Sequence, residues 1–169
     1  INKSWTSLNI SDLLSELKAF TKQLEERITK DYPTVEYTST TKHQVSDSVL
    51  LLEEIQGQDF TSAITSLDKW AQKTSGYDNC YHNSPFALGS VLYSLYLFIR
   101  LGSDWEKAVL TAVNGGGDTD TIAAMVSAMC GAIHGYDLIP TNWTQGIMNR
   151  EGIEDLSIAL ITSQIPCTN

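Results

Sequence analysis

The chain has 169 residues and a mass of 18.7 kDa, room for one domain built on a single core. Apolar residues make up 42% and charged ones only 18%, a balance that excludes general disorder. Eleven basic residues against twenty acidic ones leave a net charge of −9, which repels nucleic-acid backbones and anionic membranes and excludes both as partners.

Between Ser11 and Lys30, Leu13, Leu17, Phe20, Leu24 and Ile28 recur every three or four residues, which predicts an amphipathic helix with this stripe toward the core. Tyr32-Pro33 ends it, because proline disfavours a helical residue before it. The threonine-rich stretch from Thr34 to His43 has no apolar period and is expected as a loop. A second helix is predicted over Ser46–Gln56, stopped by Gly57. A third covers Phe60–Lys73, with Ile64, Leu67, Trp70 and Ala71 at core spacing. Gly76 to Ser84 reads as a polar loop, closed by Pro85 in the first turn of a fourth helix. The most apolar run, Phe86 to Ile99, has fourteen residues, too few for the ~20 that a membrane crossing needs.

Ser103 and Glu106 read as the S-x-x-E capping box of a fifth helix, whose buried stripe is Trp105, Ala108, Val109, Ala112 and Val113. A sixth runs from Thr121 to His134. Its Ala124, Ala128 and Ala132 recur every four residues beside Ser127, Gly131 and Gly135, and such small side chains let helix axes approach closely. The expectation is therefore a helix in the middle of the bundle. A final helix over Ile153–Thr162 is expected to close a single all-α domain covering residues 1–169. Cys80, Cys130 and Cys167 show no CxxC spacing, and His43, His82 and His134 are scattered, so no zinc site is suggested. His134 reads as a packing residue, as do Trp5, Trp70, Trp105 and Trp143.

One segment stands apart: Gly115-Gly116-Gly117-Asp118-Thr119-Asp120-Thr121, between two predicted helices. The glycines permit positive φ and a close approach. Two carboxylates two residues apart repel unless a helix N-terminus or a cation compensates them. Hard divalent cations prefer such oxygen ligands. Equally, a D-x-D-T run ahead of a helix serves as an N-cap followed by a first-turn acid. No phosphate-loop ending, dinucleotide fingerprint or twelve-residue calcium loop is present.

The run from Ala112 to Ala124 resembles the C-terminal signature of the ADP-ribosylglycohydrolases, the dinitrogenase reductase-activating glycohydrolases and ADP-ribosylhydrolases among them. The similarity extends upstream through Pro85-Phe86-Ala87-Leu88 and Ser103 to Ala108, and downstream to Ile139-Pro140 and Trp143. It is strongest over residues 84–143. The resemblance implies a compact orthogonal helical bundle and a two-metal cleft holding Mg²⁺, with Mn²⁺ the alternative. It implies Asp118, Asp120 and Thr121 as metal ligands, with Asp120 bridging the ions. By the same token Gly115, Gly116 and Gly117 lie against the substrate, and Asp118 handles the proton as catalytic residue. The implied reaction is hydrolysis of the glycosidic bond between ADP-ribose and a protein side chain or small conjugate, in the cytoplasm.

The family's N-terminal half carries a glycine-rich segment and a Thr-Asp-Asp run that complete one metal's ligands, and neither occurs here. His82 stands where relatives often have an acid. The chain thus resembles the C-terminal half of the family domain. With Ile1 at its start, the other half is expected as a separate chain or a removed segment, and as the partner. The alternative is a non-catalytic ADP-ribose-binding or crystallin-like structural protein on the same fold.

Overall fold

The computed structural model describes residues 5–33 and 44–164. The expected Thr34–His43 loop lies outside them, as does Cys167. The described residues form eight α-helices and two short 3₁₀ turns, Trp5–Ser7 and Tyr136–Leu138, with no strand among them. The helices are α1 (Ile10–Asp31), α2 (Gln44–Ile55), α3 (Phe60–Ser75), α4 (Ala87–Leu101), α5 (Trp105–Asn114), α6 (Thr119–His134), α7 (Thr141–Gly146) and α8 (Arg150–Gln164). No helix of the described residues is long and apolar enough to cross a membrane.

The centre of the bundle is α4, which packs against α2, α3, α5 and α6. Its Leu92, Tyr93, Tyr96 and Leu97 are all buried, as an almost wholly apolar helix requires. Pro85 precedes this helix without entering its first turn, since Phe86 takes the N-cap position. The cap of α5 likewise falls one residue later than the S-x-x-E pattern suggests. Asp104, not Ser103, accepts from the backbone N–H of Lys107, at 3.0 Å.

Contrary to expectation, α6 lies beside α4 and α5 and not at the centre. It buries Ile122, Val126 and Cys130, while Ala124, Ala128 and Ala132 are exposed. The reason is helical geometry. Residue i+2 lies about 200° round the helix, so packing the larger 122–126–130 ridge turns the alanine ridge outward. The stripe of α1 is rotated too. Leu14 and Thr21 are buried, whereas Phe20, Leu24 and Ile28 are exposed. Glu25 fixes that rotation by accepting from the backbone N–H groups of Val45 and Ser46 and from the Ser46 hydroxyl at the start of α2.

The last helix forms, slightly longer than expected, but it closes nothing among the described residues. Leu156, Ile158, Leu160 and Ile161 are each more than 60% exposed. His134 is a packing residue as expected. Its Nε2 meets the Gly102 carbonyl, and its ring stacks on Trp5 at 6.0 Å. Trp5 also meets Phe98 edge-on at 5.3 Å, and Trp105 and Trp143 pair at 5.8 Å against the core.

Candidate functional site

The glycine–aspartate segment joins α5 to α6, the pair of helices in most extensive contact. Gly115 ends α5 with helical backbone angles, and Gly116 and Gly117 then take φ of +71° and +69°. That left-handed pair reverses the chain within two residues, which L side chains resist. Gly117 is needed for a second reason. A Cβ on it would stand 2.0 Å from the backbone carbonyl oxygen of Asn83.

Asn83 holds the segment at both ends. Its carbonyl accepts from the Asp118 N–H at 2.7 Å, and its side-chain Nδ2 donates to the Gly115 carbonyl at 2.9 Å. Asn83 and Ser90 are the site residues that sequence reasoning missed. Their bonds to the glycine–aspartate segment span 28 to 35 residues, and no local pattern announces them.

Asp118 occupies the N-cap of α6, and its carbonyl accepts the first helical bond, from the Ile122 N–H at 3.1 Å. The helix therefore begins at Thr119, two residues ahead of the expected Thr121. Yet the Asp118 carboxylate makes no capping bond. Its Oδ2 instead lies 3.4 Å from the hydroxyl of buried Ser90, whose one proton is shared with the Ser84 carbonyl at 3.3 Å. Elsewhere Asn9, Asp59 and Asp104 use their side chains as caps in the ordinary way.

Asp120 and Thr121 occupy the first turn of α6 and are exposed, while Asp118 is half-buried. All three predicted ligands thus gather at one helix start, where the dipole favours negative charge. The described residues hold no group of three or more His, Cys, Asp or Glu placed to bind a metal. The local donor set is two carboxylates and a hydroxyl, all oxygen.

Behind the loop lies a groove of about 730 Å³, lined by Phe60, Ile64, His82, Tyr93, Leu110 and Gly115 among others. His82 is fixed there by Asp68 of α3. One carboxylate oxygen accepts from the His82 backbone N–H at 2.9 Å and pairs with its Nδ1 at 2.7 Å. Tyr93 meets the imidazole edge-on at 4.4 Å, and burial pushes its phenol up to about 12, so it stays neutral and a donor.

The family described as ADP-ribosylglycohydrolase matches residues 6–167, a wider stretch than the 84–143 region of strongest resemblance. An uncharacterized protein of Archaeoglobus fulgidus is 40% identical over 80 residues, which cover 46% of this chain and 25% of that one. The ADP-ribosylhydrolase ARH3 of Homo sapiens is 33% identical over 86 residues, covering 45% of this chain and 23% of its own length. The ADP-ribosylarginine hydrolase Tri1 of Serratia proteamaculans is 35% identical over 54 residues, covering 32% and 15% respectively. Each alignment takes in a quarter or less of the relative. No solved structure matches the chain significantly.

Proposed function

The chain belongs to the ADP-ribosylglycohydrolase family, and on that premise we propose that it hydrolyses the glycosidic bond joining ADP-ribose to a protein side chain or small conjugate once a second segment completes its metal site. The observation that carries the reading is the Asp118 carboxylate. It sits at a helix N-cap and leaves the helix amides alone. An aspartate kept only to start α6 would take the capping bond that Asp59 and Asp104 take.

The oxygen donors of Asp118, Asp120 and Thr121 suit Mg²⁺, and Mn²⁺ equally. They form part of a coordination shell, and Mg²⁺ ordinarily keeps several waters besides. Bound divalent ions would lower the pKa of a water and offset charge developing on the sugar. The chain's own residues have separate tasks. Gly115, Gly116 and Gly117 offer backbone without side chains, so a ribose or diphosphate can come close. Asp120 and Thr121 lie exposed at the same helix end. Asp118, held by Asn83 and Ser90, takes the proton as water's hydroxyl joins the anomeric carbon. Asp118 then passes that proton to the acceptor, which leaves as its bond to the anomeric carbon breaks.

The partner in this reading is the remainder of the family domain. Phe20, Leu24 and Ile28 on α1, the alanine ridge of α6 and several apolar residues of α8 are each exposed among the described residues, surface suited to cover by a further segment. The short coverage of the relatives supports the same inference. Buried thiols at Cys80 and Cys130 suit a reducing, cytoplasmic setting.

A second reading, non-catalytic binding of ADP-ribose or a structural role on this fold, draws support from the lack of a three-residue ligand cluster among the described residues. Mixing the chain with the N-terminal portion of a family relative separates the two. The proposal expects ADP-ribose release from ADP-ribosylated arginine or serine peptides with Mg²⁺, abolished by EDTA. Binding of ADP-ribose with no turnover at any metal concentration would favour the second reading.

A further inference from the structure

Consecutive residues His82 and Asn83 bond in opposite directions, and together they tie the glycine–aspartate loop to a helix that sequence does not connect with it. On one side, Asp68 of α3 accepts from both the backbone N–H and the Nδ1 of His82. On the other, Asn83 accepts from the Asp118 N–H and donates to the Gly115 carbonyl. The imidazole is 13% exposed and wedged against Tyr93, so it has little room to swing. Gly117 passes so close beneath the Asn83 carbonyl that no side chain fits between them.

We infer that Asp68, His82 and Asn83 form a clamp of positioning residues that sets the backbone of Asp118 so that its carboxylate stays off the α6 cap and open to a cation. Asp118 has ψ of +58°, whereas the capping residues Asn9, Asp59 and Asp104 have extended ψ of 111°, 163° and 96°. A capping side chain reaches the N2 or N3 amide from the extended conformation. The Asn83 bonds pin both ends of the glycine pair and hold Asp118 away from it. This inference deepens the cation reading above and rests on it for the last step only.

The test uses backbone amide spectra of the full chain, with Mn²⁺ alone as paramagnetic probe. In the wild type, Mn²⁺ should broaden the amides of Gly117 to Thr121 first. Asn83→Ala removes the Nδ2–Gly115 bond and keeps the backbone carbonyl that accepts from Asp118. By loosening the Gly115 end of the loop it should raise the Mn²⁺ concentration for half-broadening and speed hydrogen exchange of the Asp118 amide, each severalfold. Asp68→Ala should move both readouts the same way by less, since the Asn83 bonds remain. Asp59→Ala, which removes a true cap and no bond to the loop, should lower the unfolding temperature and leave both readouts where they were. Broadening and exchange unchanged in both Asn83→Ala and Asp68→Ala would overturn the clamp. A wild type that shows no broadening would count against the cation reading, and the clamp is then decided by exchange: an unchanged rate in Asn83→Ala refutes it and a faster one supports it.

Discussion

Gly117→Ala is expected to destabilise the chain by about 3 kcal/mol, because it combines a strained backbone with a collision that nothing can relieve. The new methyl would stand 2.0 Å from the Asn83 carbonyl oxygen and 2.8 Å from its carbonyl carbon. These are backbone atoms, so no rotamer change makes room. Moving the Asn83 backbone breaks its bond to the Asp118 N–H and disturbs the His82–Asp68 anchor behind it. The neighbouring glycine is a built-in control. Gly116 has nearly the same φ, but its added Cβ would meet only the Asn83 Nδ2, at 3.7 Å. Gly116→Ala should therefore carry the backbone penalty alone, about 1 kcal/mol. Urea unfolding with a common m-value measures the difference. Equal losses in the two variants would mean that the close approach of Asn83 to the loop is wrong.

In the assembled protein, Asp118→Ala should slow ADP-ribose release at least ~100-fold, the scale of losing a proton-transfer group, while changing stability little. Asp104→Ala should do the reverse. It removes a working cap and should lower the unfolding free energy by about 1 kcal/mol with release unaffected. Ser103→Ala, one residue off that cap, should be near neutral. The crossed pattern separates a carboxylate kept for chemistry from one kept for the helix. If Asp118→Ala instead lost a cap's worth of stability and kept its rate, the aspartate would be a helix start and nothing more.

What was legible in the sequence follows what is local. Seven of the eight described α-helices lie within a few residues of where apolar period and stop signals put them, with Gly76 in the left-handed C-cap conformation that ends α3, whereas the six-residue α7 was not expected. The glycine–aspartate segment was legible because its residue types are restricted by backbone conformation and charge. Orientation was less so. The stripe of α1 turned because Glu25 was recruited to the start of α2, and periodicity carries no record of that bond. The alanine ridge of α6 and the apolar face of α8 do have the composition of buried surfaces, and each faces outward among the described residues. Composition reports that a face is built to be covered, not by what. Asn83 and Ser90 were invisible for a different reason. An asparagine between a histidine and a serine ahead of a proline helix looks like any turn residue, and its role appears only when α5 and α6 bring Gly115 and Asp118 to it.

The measurement closest to the heart of the matter is calorimetric titration of Mg²⁺ into the chain paired with the N-terminal portion of a family relative, run beside the same pair carrying Asp120→Asn. A saturable heat is expected for the wild-type pair, a much weaker one for the chain by itself, and none above dilution for the Asp120→Asn pair. Indistinguishable isotherms for wild type and variant would contradict that expectation, because the acidic pair at the start of α6 would then have no cation to hold.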